Sequence, residues 1–207
     1  MLSLNSNPEH MKTFTYALLF FLLLFTACTA PHEKVSVDYT TYVNPFIGTD
    51  FTGNTYPGAQ APFGMVQLSP DNGLPGWDRI SGYFYPDSTI GGFSHTHLSG
   101  TGAGDLYDIS FMPVTLPYKE AEAPLGIHSR FSHDDESATA GYYQVLLKDY
   151  NINVELTATE RCGIQRYTFP EAQAAIFLNL KKAMNWDFTN DSRIEIVDSV
   201  TIQGYRF

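Results

Sequence analysis

The second half of the chain is a series of six short segments rich in β-branched and aromatic residues, and this series constrains the fold most. The segments follow one another at roughly 8–12-residue spacing, with turn residues between them; they are 141–150, 153–161, 163–169, 174–180, 193–198 and 200–207. Tyr143, Val145 and Leu147 fall on one face of the first segment. The same alternation places Val154 and Leu156 on one face of the second. This pattern predicts an all-β fold, an antiparallel β-sandwich.

The first half of the chain is rich in loops and holds fewer strand candidates. Segments 65–69, 82–85 and 109–114 have the β-branched, aromatic or alternating content that suits strands. We therefore expect one β-sandwich domain over residues 39–207. The last residues, up to Phe207, lie inside an expected strand, so we expect this domain to be incomplete at its C-terminal end.

Residues 1–28 carry the features of a bacterial lipoprotein signal, and the true start is expected at Met11. The apolar run 17–25 is followed by small residues and Cys28, and it is shorter than the ~20 apolar residues of a membrane-spanning helix. We expect Cys28 to be lipidated and residues 29–38 to be a tether, so that a lipid anchor is the only contact with the membrane. The predicted location is periplasmic or outer-membrane anchored, with plain secretion as the alternative.

Composition narrows the possible partners. The chain has 12 Lys and Arg residues against 22 Asp and Glu residues, a net charge of −10. An acidic chain without basic runs argues against nucleic acid as a partner, and neutral substrates such as sugars fit better. Once Cys28 is lipidated, Cys162 has no partner for a disulfide, and its strand-like surroundings favour a buried small residue.

Residues 44–104 concentrate glycine, proline, aromatic and acidic residues, and they hold the candidate site residues. Trp77 offers a flat apolar face for a sugar ring, and the neighbouring Asp78 can accept hydroxyl hydrogen bonds; core packing of Trp77 is the alternative. His95 and His97 would share a face in a strand and could bind a metal or a sugar. Two histidines supply only half of the about four ligands of a closed zinc site, so the alternative is that both satisfy loop backbone groups beside a cleft.

Other acidic residues are weaker candidates. Asp71, Asp105 and Asp108 could line the same cleft, although turn and cap roles are common for Asp. The dipeptide at 186–187 repeats the Trp-Asp pair in a polar surround, and 134–136 reads as a solvated acidic loop.

Several long motifs, in order, make the chain resemble the amino-terminal domain of glycoside hydrolase family 92, the exo-acting α-mannosidases. The match runs from about residue 40 to the end, and its motifs are VNPFIGT (43–49), GNTYPGAQAPFGMVQLSPD (53–71), GFSHTHLSGTG (92–102), FSHDDE (131–136), GYYQVLL (141–147) and ELTATERCGIQRYTFP (155–170).

The resemblance implies a two-domain enzyme, in which a β-sandwich precedes an (α/α)6 barrel and the two share a calcium-dependent, inverting active site. It implies that the catalytic acid and base and most Ca2+ ligands belong to the barrel, so no catalytic residue is expected within this chain, which would be inactive alone on mannose-containing glycans. Trp77, then Asp78, His95 and His97, are the residues expected to form part of the sugar pocket. A free-standing carbohydrate-binding module is the alternative, and a zinc enzyme built on His95 and His97 is a third possibility.

Overall fold

The computed structural model describes residues 36–100, 106–118, 126–182 and 188–207, together with Lys12 and Tyr16. Apart from Lys12 and Tyr16, the expected signal with its Cys28 lies outside the described residues, as do most of the tether, Asp105 and the dipeptide at 186–187. The chain divides into two compact units, 1–38 and 39–207, and the fold that follows is that of the second. Among the residues that the structure describes, no helix is long and apolar enough to cross a membrane.

In its described residues the second unit is built of β-strands, with three short 3-10 helices at Tyr39–Tyr42, Trp77–Arg79 and His133–Asp135. The strands are β1 (Ala59–Gln60), β2 (Gln67–Asp71), β3 (Thr89–Ile90), β4 (Gly92–Ser94), β5 (Ser110–Thr115), β6 (Ser129–Arg130), β7 (Glu136–Thr139), β8 (Tyr142–Leu147), β9 (Ile152–Ala158), β10 (Gly163–Thr168), β11 (Ala174–Asn179), β12 (Ser192–Ile196) and β13 (Ile202–Arg206).

Two antiparallel sheets face one another. The first has the strand order β1-β2-β4-β5-β11 and the second the order β10-β9-β8-β7. Strand β9 packs against β1 and β2 of the first sheet, and β8 packs against β1. Strands β12 and β13 form a separate, largely exposed hairpin, and β3 pairs with β6. The predicted antiparallel β-sandwich is confirmed.

The core lies between the two sheets, on the faces that alternation predicts. Tyr143, Val145 and Leu147 of β8 are fully buried, as expected from their spacing. Val154 and Leu156 of β9 are buried beside them. The first sheet contributes the buried side chains of Leu68, Phe93, Met112 and Val114. Alternate residues of a half-buried strand point to one face, so the spacing of apolar residues at every second position identifies the core face of β8 and β9.

The expected strand at 82–85 is wrong. Gly82 has a φ of 88°, in the left-handed region that favours glycine, and a Cβ added there would meet Asp71 Oδ1 at 2.5 Å. The backbone N–H of Asn72 donates to Gly82 O at 2.8 Å, and the Asn72 side chain accepts from the Phe84 N–H. A side chain thus replaces the strand partner that this aromatic segment would need.

The expected burial of Cys162 is also wrong. Cys162 is exposed, in the turn that joins β9 to β10. Its carbonyl accepts from the Thr159 N–H at 2.8 Å, and its own N–H donates to Thr159 Oγ1 at 3.2 Å. Alternate residues of β9 and β10 are the less exposed ones, but the turn between these strands does not face the core, so Cys162 is exposed.

Candidate functional site

Trp77 and Asp78 lie on an exposed turn. Trp77 is the first residue of the 3-10 helix Trp77–Arg79, and 57% of its surface is accessible. Asp78 is exposed beside it. The ring is therefore not part of the core, and its apolar surface is open to a ligand that can stack on it.

The segment that carries Trp77, residues 74–87, is called the Trp77 loop below, and it is closed on itself by an ion pair and attached to a neighbouring segment at its middle. Arg79 Nε donates to Asp87 Oδ2 at 2.6 Å, and the Arg79 guanidinium also lies 4.9 Å from the centre of the Phe84 ring. Ser81 Oγ donates to Thr55 O at 2.9 Å, which attaches the middle of the loop to a neighbouring segment. These contacts fold the loop back on itself and hold its middle to the domain.

The far end of the Trp77 loop is held through Tyr85. Its N–H donates to Thr49 O at 2.9 Å, and its carbonyl accepts from His133 Nε2 at 2.8 Å. The rings of Tyr85 and His133 stack with centres 3.9 Å apart and planes 3° apart, and the edge of Phe46 contacts Tyr85. Tyr85 is thereby joined to the segment that leads into β7.

Glu136, the first residue of β7, is not part of a solvated loop, and for this residue the prediction is wrong. Its side chain is only 1% exposed. Its carboxylate accepts from Tyr143 Oη at 2.6 Å, from Tyr83 Oη at 2.9 Å and from His133 Nδ1 at 2.7 Å. Burial, followed by the Glu136 charge, raises the pKa of both tyrosines, so both stay protonated donors. Asp134 and Asp135 of the same run are exposed.

His97 lies in the core of the first sheet, just beyond the end of β4. Its Nδ1 is 2.6 Å from Gln67 O and its Nε2 is 2.9 Å from Asp71 Oδ1, with Ser94 Oγ 3.1 Å from the same nitrogen. The side chains of His97 and Asp71 are both fully buried. Each ring nitrogen of His97 is therefore occupied by a group of the protein.

Lys182 completes the buried charge cluster. Its Nζ lies 3.3 Å from Asp71 Oδ2, an ion pair without the geometry of a hydrogen bond. Burial alone would raise the pKa of the Asp71 carboxyl, but Lys182, then His97 and Ser94, outweigh it and hold that pKa below its usual range. Asp71 is thus a buried carboxylate paired with the Lys182 ammonium and the His97 ring, and it does not face a cleft.

His95 faces a different environment, although only one residue separates it from His97. Its Nδ1 donates to Ile109 O at 2.8 Å, and its Nε2 can accept from Gln165 Nε2 at 3.4 Å. Burial lowers the pKa of His95, partly offset by the Ile109 carbonyl. This arrangement matches a neutral imidazole with the proton on Nδ1.

A cleft of about 620 Å³ opens beside His95. It is lined by β5 and β11 on one side and by the β12–β13 hairpin on the other, with Arg161 and Thr96 among its polar residues. Trp77, Asp78 and His97 do not line it, so the structure does not bring the four predicted site residues into one pocket. It brings His97 together with Asp71.

The described residues contain no group of three or more His, Cys, Asp or Glu side chains that could hold a metal ion. His95 and His97 have separate sets of partners: His95 binds the Ile109 backbone beside the cleft, whereas His97 binds the Gln67 carbonyl and the Asp71 carboxylate in the core. Asp108 is likewise engaged: Thr96 Oγ1 donates to it at 2.9 Å, and Arg206 forms an ion pair with it.

Sequence reasoning missed Glu136, its two tyrosine donors and Lys182. The alternation of burial along β7 is the signal that would have placed Glu136 inward, because Glu136 and Ala138 share the less exposed face. Lys182 follows β11 with no motif around it, so its pairing with Asp71 had no local signal.

The comparisons with known proteins agree on one family. The model of the glycosyl hydrolase family 92 N-terminal domain matches residues 42–207. A family GH92 α-mannosidase from Bacteroides thetaiotaomicron, solved in complex with mannoimidazole, is 44% identical, with a TM-score of 0.76 over 81% of this chain and 23% of that one.

Two more distant relatives point the same way. A family GH92 inverting mannosidase from Bacteroides thetaiotaomicron is 31% identical, with a TM-score of 0.58 over 70% of this chain and 20% of that one. An uncharacterized secreted glycosidase of Arthroderma benhamiae is 28% identical over 165 residues, which are 76% of this chain and 20% of that protein. The chain thus spans about a fifth to a quarter of the length of these relatives. Sequence motifs, sandwich and comparisons together show that the chain belongs to glycosyl hydrolase family 92, with residues 42–207 matching its N-terminal domain.

Proposed function

We propose that this chain supplies one wall of the sugar pocket of a calcium-dependent, inverting exo-α-mannosidase that acts on mannose-containing glycans. The observation that carries the proposal is the exposed Trp77 ring on a loop that is attached at its middle and far end, within a domain of this family. An aromatic face held in a fixed orientation can stack on the C–H side of a sugar at low entropic cost.

Each predicted residue has a distinct part in this proposal. Trp77 stacks on the sugar, and the carboxylate of Asp78 accepts hydrogen bonds from its hydroxyl groups. His95, neutral and beside the open cleft, would accept from a sugar hydroxyl at Nε2 in place of Gln165 Nε2, which lies 3.4 Å away. His97 stays a prediction, and because its nitrogens already bind Gln67 and Asp71, a part in binding would be indirect.

The proposal assigns the catalytic acid, the catalytic base and the calcium ligands to the remaining length of a full enzyme of this family, an (α/α)6 domain. The described residues contain no cluster of three or more His, Cys, Asp or Glu side chains for a metal ion. Support comes from the α-mannosidase at 44% identity, of which this chain matches 23%. Residues 42–207 alone are then expected to bind without turnover.

Export as a lipoprotein anchored through Cys28 is also part of the proposal. It is supported by the apolar run before Cys28 in the sequence and by the secreted relative at 28% identity. Detection of a lipid-modified Cys28 by mass spectrometry of the protein from its native membrane fraction would test it, and an unprocessed N terminus would contradict it.

The binding proposal is tested by titrating the full chain with methyl α-mannoside while recording NMR chemical shifts. We expect weak saturable binding that falls at least tenfold in Trp77→Ala, because a stacked aromatic ring carries much of a sugar's contact area. Tyr42→Ala is the matched control, since Tyr42 is also an exposed aromatic side chain, 78% accessible, on another segment. Equal affinity in wild type and Trp77→Ala would overturn the assignment, and hydrolysis of α-mannosides by this chain alone would overturn the placement of the catalytic groups.

A further inference from the structure

His133 connects two parts of the fold that have no strand pairing with each other. Its Nδ1 lies 2.7 Å from Glu136 Oε2, and its Nε2 lies 2.8 Å from Tyr85 O. A carboxylate oxygen and a carbonyl oxygen are both acceptors, so both nitrogens must carry a proton for both hydrogen bonds to form. The imidazolium is the only form of His133 that matches both partners.

We propose that His133, as an imidazolium, is a positioning residue that clamps Tyr85, and with it the Trp77 loop, to the buried Glu136. Tyr85 is the residue at which this loop also binds Thr49, so the clamp acts where the loop returns to the sandwich. The importance of the clamp for sugar binding rests on the proposed function, whereas the clamp itself does not.

The buried side of the clamp is rigid. Tyr83 and Tyr143 donate to Glu136 from the loop and from β8, so three donors including His133 converge on one carboxylate that is 1% exposed. The aromatic ring of Phe131 packs edge-on against His133, with ring centres 5.3 Å apart. Glu136 and the Tyr83 part of the loop are thereby fixed to each other, and movement is left to Tyr85.

The outer side of the clamp is reachable by solvent. The His133 side chain is 33% exposed, and the other charged groups beside it, Asp134 and Asp135, are exposed, with Asp135 paired to Lys148 at 3.1 Å. Loss of the His133 proton leaves one nitrogen lone pair facing an acceptor oxygen. The hydrogen bond to Tyr85 is the one released, because Glu136 keeps its position through the two tyrosines.

Two measurements on the full chain test the clamp without any sugar. The first is the 15N NMR spectrum of the His133 ring at pH 6, which is expected to show protons on both nitrogens. The second is amide hydrogen exchange of the Trp77 loop at pH 6 and pH 8.5, corrected for the intrinsic rate. Loss of one hydrogen bond is expected to raise the opening constant at Tyr85 by roughly two- to tenfold at the higher pH.

Two variants test whether the charge of Glu136 in particular, and not any nearby carboxylate, holds the His133 imidazolium. Glu136→Gln keeps the shape but removes the charge that matches the imidazolium, so it is expected to give the faster exchange at pH 6 already. Asp134→Asn removes a nearby exposed carboxylate that has no bond to His133, and it is expected to behave like the wild type at both pH values.

Each outcome decides the proposal. A neutral His133 ring at pH 6, or loop exchange in the wild type that is equal at both pH values, overturns it even if Glu136→Gln fails to fold. Because neither readout depends on mannose, failure of the clamp leaves the result for Trp77→Ala unaffected, and failure of sugar binding leaves the clamp unaffected.

Discussion

Two histidines of this domain make the same bridge in different surroundings. His97 spans from the carbonyl of Gln67 to the carboxylate of Asp71, and His133 spans from the carbonyl of Tyr85 to the carboxylate of Glu136. The first bridge is fully buried in one sheet, whereas 33% of the His133 side chain is exposed at the edge of the other.

The partners of the two carboxylates explain how each bridge is kept. Asp71 is paired with the Lys182 ammonium as well as with His97, while Glu136 also accepts from two neutral tyrosine hydroxyls. Loss of one member of the Asp71 cluster is costly, because the groups left behind have little access to water: the side chains of Asp71 and His97 are 0% exposed and that of Lys182 is 11% exposed. The bridge of His133 between Tyr85 and Glu136, called the rim bridge below, can lose a proton or a hydrogen bond because water can take the place of the lost partner. The bridge of His97 between Gln67 and Asp71, called the sealed bridge below, serves stability, whereas the rim bridge serves adjustable positioning.

The largest expected effect comes from breaking the sealed bridge. Asp71→Asn keeps the shape but leaves His97 and Lys182 facing a neutral amide, and we expect the free energy of unfolding to fall by about 3–5 kcal/mol. Urea unfolding followed by circular dichroism measures this. Asp78→Asn, an exposed carboxylate in the Trp77 loop, is the control and is expected to stay within about 0.5 kcal/mol of wild type.

A loss below about 1 kcal/mol for Asp71→Asn would contradict the view that the cluster depends on every member. It would mean that water or a shift of Lys182 replaces the carboxylate, and the difference between the two bridges would then disappear.

The rim bridge predicts an intermediate effect from Tyr143→Phe. The substitution removes a buried donor to an acidic side chain, and hydrogen bonds to charged groups contribute about 1.5–3 kcal/mol to stability. Tyr142→Phe is a close control, because Tyr142 is the neighbour on β8 and its hydroxyl also donates to a glutamate, Glu155, at 2.6 Å. Tyr142 lies on the opposite, more exposed face, so its loss is expected to cost less; equal costs for both variants would show that burial of Glu136 does not matter.

The sequence predicted what depends on local periodicity and missed what depends on distant pairing. Burial along β8 followed from the alternation of Tyr143, Val145 and Leu147. The segment 82–85 has strand-like aromatic content, but the left-handed φ of Gly82 and the Asn72 side chain make it a loop. Strand propensity detects the aromatic content of this segment, but it does not detect the backbone conformation of Gly82 or the hydrogen bond to the Asn72 side chain.

The candidate site shows the same limit. Asp71 and His97 were both singled out from the sequence, yet their contact spans 26 residues and depends on the antiparallel pairing of β2 with β4. The histidine spacing by itself suggested a shared face. Beyond the last residue of β4 the chain turns, so His95 faces the cleft and His97 faces the core.

Substitution of His95 is expected to change the free energy of unfolding least, and it tests whether the number of acceptor partners distinguishes the histidines. His95 has one acceptor partner, Ile109 O, whereas His97 and His133 each have two. Burial lowers its pKa, so its neutral form contributes stability that is fully present above the unfolded-state pKa of about 6.5 and is lost as the pH falls through the lower folded-state value. His95→Gln keeps a donor for Ile109 and an acceptor for Gln165 but does not titrate.

The difference in unfolding free energy between wild type and His95→Gln, measured from pH 7.5 down to pH 5, is therefore expected to shift in favour of the variant as the pH falls. Asp71 does not disturb this window, because its pKa lies below its usual value of 3.8 and it stays ionised throughout. A difference that moves the other way would mean that folding raises the pKa of His95, as for a histidine with two acceptors. The number of acceptor partners would then not distinguish His95 from His97 and His133. The bridges of His97 and His133 would differ only in their exposure to solvent.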